Sequence, residues 1–125
     1  MSQQVKRIDI IIYKRWDDVQ RINRNERTVM KELPFDTEQL TKIFIASSVT
    51  RAGIFGSMAR GDWDNHSDVD FLVEFSYPVG LFKMVHLKNL LSEVLHREVD
   101  LVTPAGLSPY LKEDILKDLR LVYEA

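Results

Sequence analysis

The stretch GSMARGDWDNHSDVD, residues 56–70, brings a glycine turn, a hydroxyl, a guanidinium and two carboxylates one residue apart into fifteen positions. Gly56 and Gly61 have the G-x-x-x-x-G spacing of a phosphate-binding P-loop, but Asp62-Trp63 stands where that loop needs Lys-Ser/Thr. The P-loop reading therefore fails. A strand that runs into Gly-Ser and then a short helix still presents backbone N–H groups to an anion. Ser57 adds a donor and Arg60 a cation, which makes Gly56, Ser57 and Arg60 candidate phosphate contacts. Taken alone, the loop reads more readily as a tight turn, with Arg60 pinning it to a nearby carboxylate.

Asp68 and Asp70 are at i and i+2, so on one strand both side chains leave the same face. Two carboxylates so placed repel each other, and a divalent cation would offset that cost. Magnesium accepts one or two protein carboxylates and completes its shell with substrate phosphates. A solvated edge strand is the plain alternative for a lone D-x-D. Asp100, inside REVDLV, could complete a three-carboxylate site for two metal ions if its strand lies beside that of Asp70. Glu98 shares its face and competes for that role. His66, His86 and His96 show no metal-ligand spacing.

These residues need a scaffold, and the sequence outlines one. Asp36 precedes LTKIF as a helix N-cap, with Gln39 completing a capping-box pattern, and Leu40, Ile43, Phe44 and Ser47 face inward. RAGIFGS (51–57) reads as a buried strand entering the turn. SDVDFLVEF (67–75) is a second strand, with Val69, Phe71 and Val73 opposite Asp68, Asp70 and Leu72. An amphipathic helix spans 81–95, with Leu81, Met84, Val85, Leu91, Val94 and Leu95 on one stripe. REVDLVTP (97–104) is a third strand, Ser108-Pro109 opens a last helix, and RLVYE adds an edge strand. The expected fold is α/β (α+β): a small mixed sheet with helices packed on it. Before it, Val5, Ile8, Ile12, Trp16, Val19 and Ile22 recur at helical spacing. The expected division is a helical N-terminal extension, 1–33, and a domain over 34–125.

Composition narrows the function further. The chain has 125 residues and no cysteine, which suits one core and rules out thiolate metal sites. No apolar run could span a bilayer and no secretory leader fits, so a cytoplasmic protein without membrane contact is expected. Residues 1–33 hold 8 Lys/Arg against 5 Asp/Glu, and residues 34–125 hold 9 against 14. An acidic body argues against direct nucleic-acid binding, which depends on many basic phosphate contacts.

GSMARGDWDNHSDVDFLV resembles the G-S-x-A-R-G-(x)n-S-D-x-D motif of the nucleotidyltransferase superfamily related to DNA polymerase β. With GLFKMVHLKNLLSEVL, REVDLVTP and GLSP, the likeness extends over about residues 36–125 and is to the minimal nucleotidyltransferases (MNT domains). The resemblance implies a nucleotidyltransferase fold. It also implies that Gly56 and Ser57 hold the triphosphate of ATP, and that Asp68, Asp70 and Asp100 act as catalytic metal ligands for two Mg2+ ions. Asp100 could also take the acceptor hydroxyl's proton.

Such MNT proteins commonly pair with a helical HEPN-type RNase toxin as its antitoxin and are thought to transfer AMP to a tyrosine hydroxyl. The implied partners are therefore ATP and a HEPN toxin, in a hetero-oligomer or alongside a homo-oligomer. A separate acceptor protein also agrees with a chain too short for an acceptor-holding domain. Neutralisation by binding alone, and transfer to a small molecule, are the alternatives.

Overall fold

The computed structural model describes residues 33–125. The helical pattern between Val5 and Ile22, and with it the expected N-terminal extension, lies outside the described residues. Helix α1 (Thr37–Ala46) opens on Asp36, whose carboxylate accepts the Glu38 N–H at 2.9 Å. That bond satisfies one of the donors a helix start leaves unpaired. Leu40 and Phe44, one turn apart, are buried and Ser47 closes the helix, as the spacing predicts.

Strand β1 (Val49–Phe55) runs into the four-residue helix α2 (Ser57–Arg60). After a loop come β2 (Val69–Phe75), helix α3 (Leu81–Leu95) and β3 (Val99–Val102). A 3-10 turn (Pro104–Gly106), helix α4 (Pro109–Asp118) and β4 (Arg120–Glu124) complete the domain. The sheet order is β3-β2-β1-β4, with β2 and β3 parallel and the other neighbours antiparallel. A parallel pair needs a long crossover, and α3 supplies it. The expected α/β architecture with a mixed sheet is therefore the observed one.

Each strand divides its residues between two layers because side chains alternate across a sheet. Val69, Phe71 and Val73 join Leu40, Phe44, Leu87, Leu91 and Leu95 in the larger core, under α1 and α3. Leu72 faces the other way into a second core made with Ile115, Leu116 and Leu119 of α4 and its end. The side of β2 that carries Asp70 is thus apolar at Leu72, which packs under α4, and polar again at Glu74. Leu91 is fully buried, so Leu91→Ala should cost about 2–5 kcal/mol of unfolding free energy. Urea denaturation followed by circular dichroism would measure it.

One expectation about α3 needs correcting. Its inward stripe is Leu87, Leu91 and Leu95, whereas Leu81 and Val85 are 75% and 45% exposed, beside Phe82 at 93%. The first turns of α3 therefore carry an apolar surface that no described element covers. Among the described residues no helix is long and apolar enough to cross a membrane.

Candidate active site

Strand pairing places the carboxylates. In the parallel ladder Asp70 is the register partner of Asp100, flanked by the pairs Val69–Val99 and Phe71–Leu101. Alternation sends Asp70 to the same face as Leu72 and Asp100 to that of Val102, the face that α4 covers farther along. Asp70 is half-buried and Asp100 exposed, so this end of the face is open. Asp68 sits one residue ahead of β2 rather than inside it, exposed at the end of the loop. The expected strand start at Ser67 is therefore two residues early.

The glycine turn lies against this acidic end. Phe55, the last residue of β1, is the register partner of Asp70. Gly56 follows at φ 74°, ψ −153°, a region open essentially to glycine alone. A Cβ at Gly56 would lie 2.6 Å from Asp70 Oδ2. Glycine is thus required twice, by the backbone and by the carboxylate behind it. The Gly56 carbonyl accepts from Ala59 and Arg60 N–H at 3.1 and 3.0 Å. The N–H groups of Ser57 and Met58 come too early in the turn for an intrahelical partner. They and the Ser57 hydroxyl are donors placed beside a cluster of acids.

The electrostatics of Asp70 record this crowding. Burial, then the charges of Asp100 and Asp68, then a hydrogen bond to Asp100, hold its carboxyl above the usual carboxylate range; the Arg60 charge opposes them weakly. Arg60 is committed elsewhere: its Nη1 donates to Asp118 at 2.9 Å and its Nε to Asp62 at 3.2 Å. It ties α2 to the end of α4, in keeping with the loop-pinning alternative, and its contribution to a bound phosphate would be through charge.

Among the described residues no three His, Asp or Glu side chains gather into a metal cage. The donor set nonetheless suits magnesium, which takes one or two carboxylates and leaves the remaining positions to phosphate and water. Asp70 paired with Asp100 offers two carboxylates of that kind, with Asp68 next to them in sequence. Glu98 lines a cleft of about 540 Å³ together with Asp68, His66, Ser67, Glu93 and His96. It is exposed, and that cleft is lined by neither Asp70 nor Asp100. Trp63 packs on the larger core and stacks under Arg97, 5.6 Å from the ring centroid. Sequence reasoning passed over Arg97 entirely, because only the fold brings it to the loop.

A strand–glycine turn–helix unit beside aspartates on paired strands defines a nucleotidyl-transferring enzyme, and the chain belongs to the nucleotidyltransferase domain family, whose model matches residues 37–122. It is 42% identical over 80 residues to a Methanocaldococcus jannaschii protein provisionally named a protein adenylyltransferase, covering 64% of this chain and 86% of that one. Protein adenylyltransferase MntA of Thermococcus cleftensis is 35% identical over 71 residues, 57% of this chain and 72% of its own. A solved structure provisionally described as a minimal nucleotidyltransferase is 32% identical, with a TM-score of 0.56 over 69% of this chain and 95% of that one. Two further structures share the fold at lower identity. A toxin–antitoxin crystal structure with AMP-PNP has 19% identity and a TM-score of 0.65, covering 73% and 75% of the two chains. A tri-AMPylated Shewanella oneidensis HEPN toxin in complex with MNT antitoxin has 18% and 0.57, covering 71% and 70%.

Proposed function

We propose that this protein transfers AMP from ATP to a hydroxyl of a partner protein, a tyrosine of a HEPN-type toxin, and thereby acts as its antitoxin. The observation that carries the reading is Asp70 opposite Asp100 beside the Gly56–Ser57 turn, a half-buried and an exposed carboxylate set against anion donors. The names of the adenylyltransferase relatives and of the HEPN–MNT complex support the choice of nucleotide and partner.

In this reading the Ser57 hydroxyl and the turn's N–H groups orient the triphosphate, and Gly56 lets the phosphates approach without obstruction. Asp68, Asp70 and Asp100 would hold the Mg2+ ions, which when bound would supply charge neutralisation at the phosphates and a lowered pKa at the acceptor hydroxyl. Asp100, the more exposed of the strand pair, faces the side from which an acceptor arrives and takes the hydroxyl proton as the oxygen attacks the α-phosphorus. The new bond joins the acceptor oxygen to AMP, and pyrophosphate leaves. The test is incubation with labelled ATP, Mg2+ and the HEPN partner. Label should enter the partner with wild type and disappear with Asp68→Asn; an unlabelled partner in the wild-type reaction would overturn the reading.

The exposed apolar surface at Leu81, Phe82 and Val85 favours a second reading, in which contact itself neutralises the toxin. Large exposed apolar patches mark association surfaces. Phe82→Asp should weaken toxin binding at least about tenfold, the scale of a buried aromatic anchor, without lowering the melting temperature. Calorimetric titration would read it, and survival of toxin inhibition in Asp68→Asn would favour contact over catalysis.

A further inference from the structure

Asp68 is the one candidate ligand outside the sheet, so the ladder that fixes Asp70 and Asp100 does not fix it. We infer that Arg97 is the positioning residue for Asp68, an inference that rests on the nucleotidyl-transfer reading above. Helix α3 ends at His96 in a left-handed conformation, φ 55°, which turns the chain sharply before β3. From that turn Arg97 Nη1 donates to the carbonyls of Asp64 and Ser67, at 2.9 and 2.8 Å. Its guanidinium also stacks on Trp63, 5.6 Å from the ring centroid, and Trp63 packs on the larger core. One planar cation thus grips the loop at three residues.

The loop is built to be gripped. Asp64 N–H donates to Ser67 Oγ at 2.8 Å, His66 N–H donates to Asp64 Oδ1 at 2.8 Å, and Ser67 N–H donates to the Asp64 carbonyl at 3.3 Å. These bonds close residues 64–67 into a compact turn. The next bond along the chain, Val69 N–H to the Glu98 carbonyl at 2.9 Å, anchors β2 to the residue after Arg97. Asp68 therefore lies between two anchor points, both supplied by the first residues leading into β3. The same short segment, Arg97 to Asp100, holds Asp68 from behind and contributes Asp100 beside Asp70. Arg97 holds both carbonyls through Nη1 while its planar guanidinium lies over the indole; the compact, strongly hydrated ammonium of lysine is a poorer match to that combination.

The test compares wild type with Arg97→Ala, Arg97→Lys and Ser67→Ala, the last breaking the turn from within. Amide hydrogen exchange at His66 and Ser67 should quicken at least about tenfold in Arg97→Ala and Ser67→Ala while Phe71 and Val73 in β2 stay protected. In the transfer reaction, kcat should fall at least about tenfold with KM for ATP within about twofold, since the Gly56–Ser57 turn is untouched. Arg97→Lys should restore only part of both. Unchanged loop exchange in Arg97→Ala, or a loosened loop with wild-type kcat, would overturn the positioning role. Full transfer by Asp68→Asn would instead overturn the metal-ligand reading of Asp68 and leave the loop clamp standing.

Discussion

Gly56→Ala should leave a folded but catalytically dead protein. Two independent penalties meet at this residue. The backbone sits at φ 74°, ψ −153°, where a side chain costs about 1–3 kcal/mol. A methyl group would also meet Asp70 Oδ2 at 2.6 Å, far inside van der Waals contact. The backbone penalty is relieved by moving the turn, and the clash by moving the turn or swinging the Asp70 carboxylate aside; either change disturbs the fit between the phosphate donors and the acidic pair. Transition-state stabilisation depends on donors held where charge develops, and losing one such donor costs about 10²–10³ in kcat. Displacing the whole turn should cost at least that. Single-turnover transfer from labelled ATP would measure the loss, and thermal unfolding would show that the fold survives. Retained activity would mean that the turn does not hold the triphosphate.

Much of this architecture was legible in the sequence, for identifiable reasons. Helix α3 occupies the expected span, 81–95, and Leu40 and Phe44 face inward as their spacing predicts, because helical period and caps are local properties. Alternation also put Asp70 and Leu72 on one side, whereas Asp68, expected with them, falls one residue ahead of the strand. What remained hidden depended on contacts between distant segments. Nothing local says that Leu72 is covered by α4, that Asp70 registers with Asp100, or that Arg60 reaches Asp118, 58 residues away. The error over Leu81 and Val85 has the same origin: apolar spacing marks a stripe but not where its cover ends. Arg97 escaped notice because a lone arginine ahead of a strand gives no signal until the loop folds onto it.

Replacing a carboxylate of the site should raise stability while removing activity. Asp70 ionises reluctantly in the folded chain, because it is half-buried and sees the charges of Asp100 and Asp68. The folded state therefore keeps this proton to higher pH than the unfolded chain does. Over that interval the folded state binds more protons, so stability falls as pH rises from the ordinary carboxylate range through the elevated folded-state value. Asp70→Asn removes this contribution. Metal-free Asp70→Asn should melt higher than wild type at neutral pH, and the difference should close as the solution is acidified to where Asp70 is protonated in both states. Activity should fall by about 10²–10³ or more, as expected when a group acting on developing charge is lost. Mg2+ and ATP together should stabilise wild type by mass action and Asp70→Asn much less, narrowing or reversing the order of melting temperatures. Differential scanning calorimetry from about pH 3, below the ordinary Asp value, to pH 8, with and without Mg2+ and ATP, reads all three effects. A variant less stable than wild type under metal-free, neutral conditions would show that the acidic pair is not held under repulsion. The stability cost would then have been misplaced, and with it the reason for expecting a cation there.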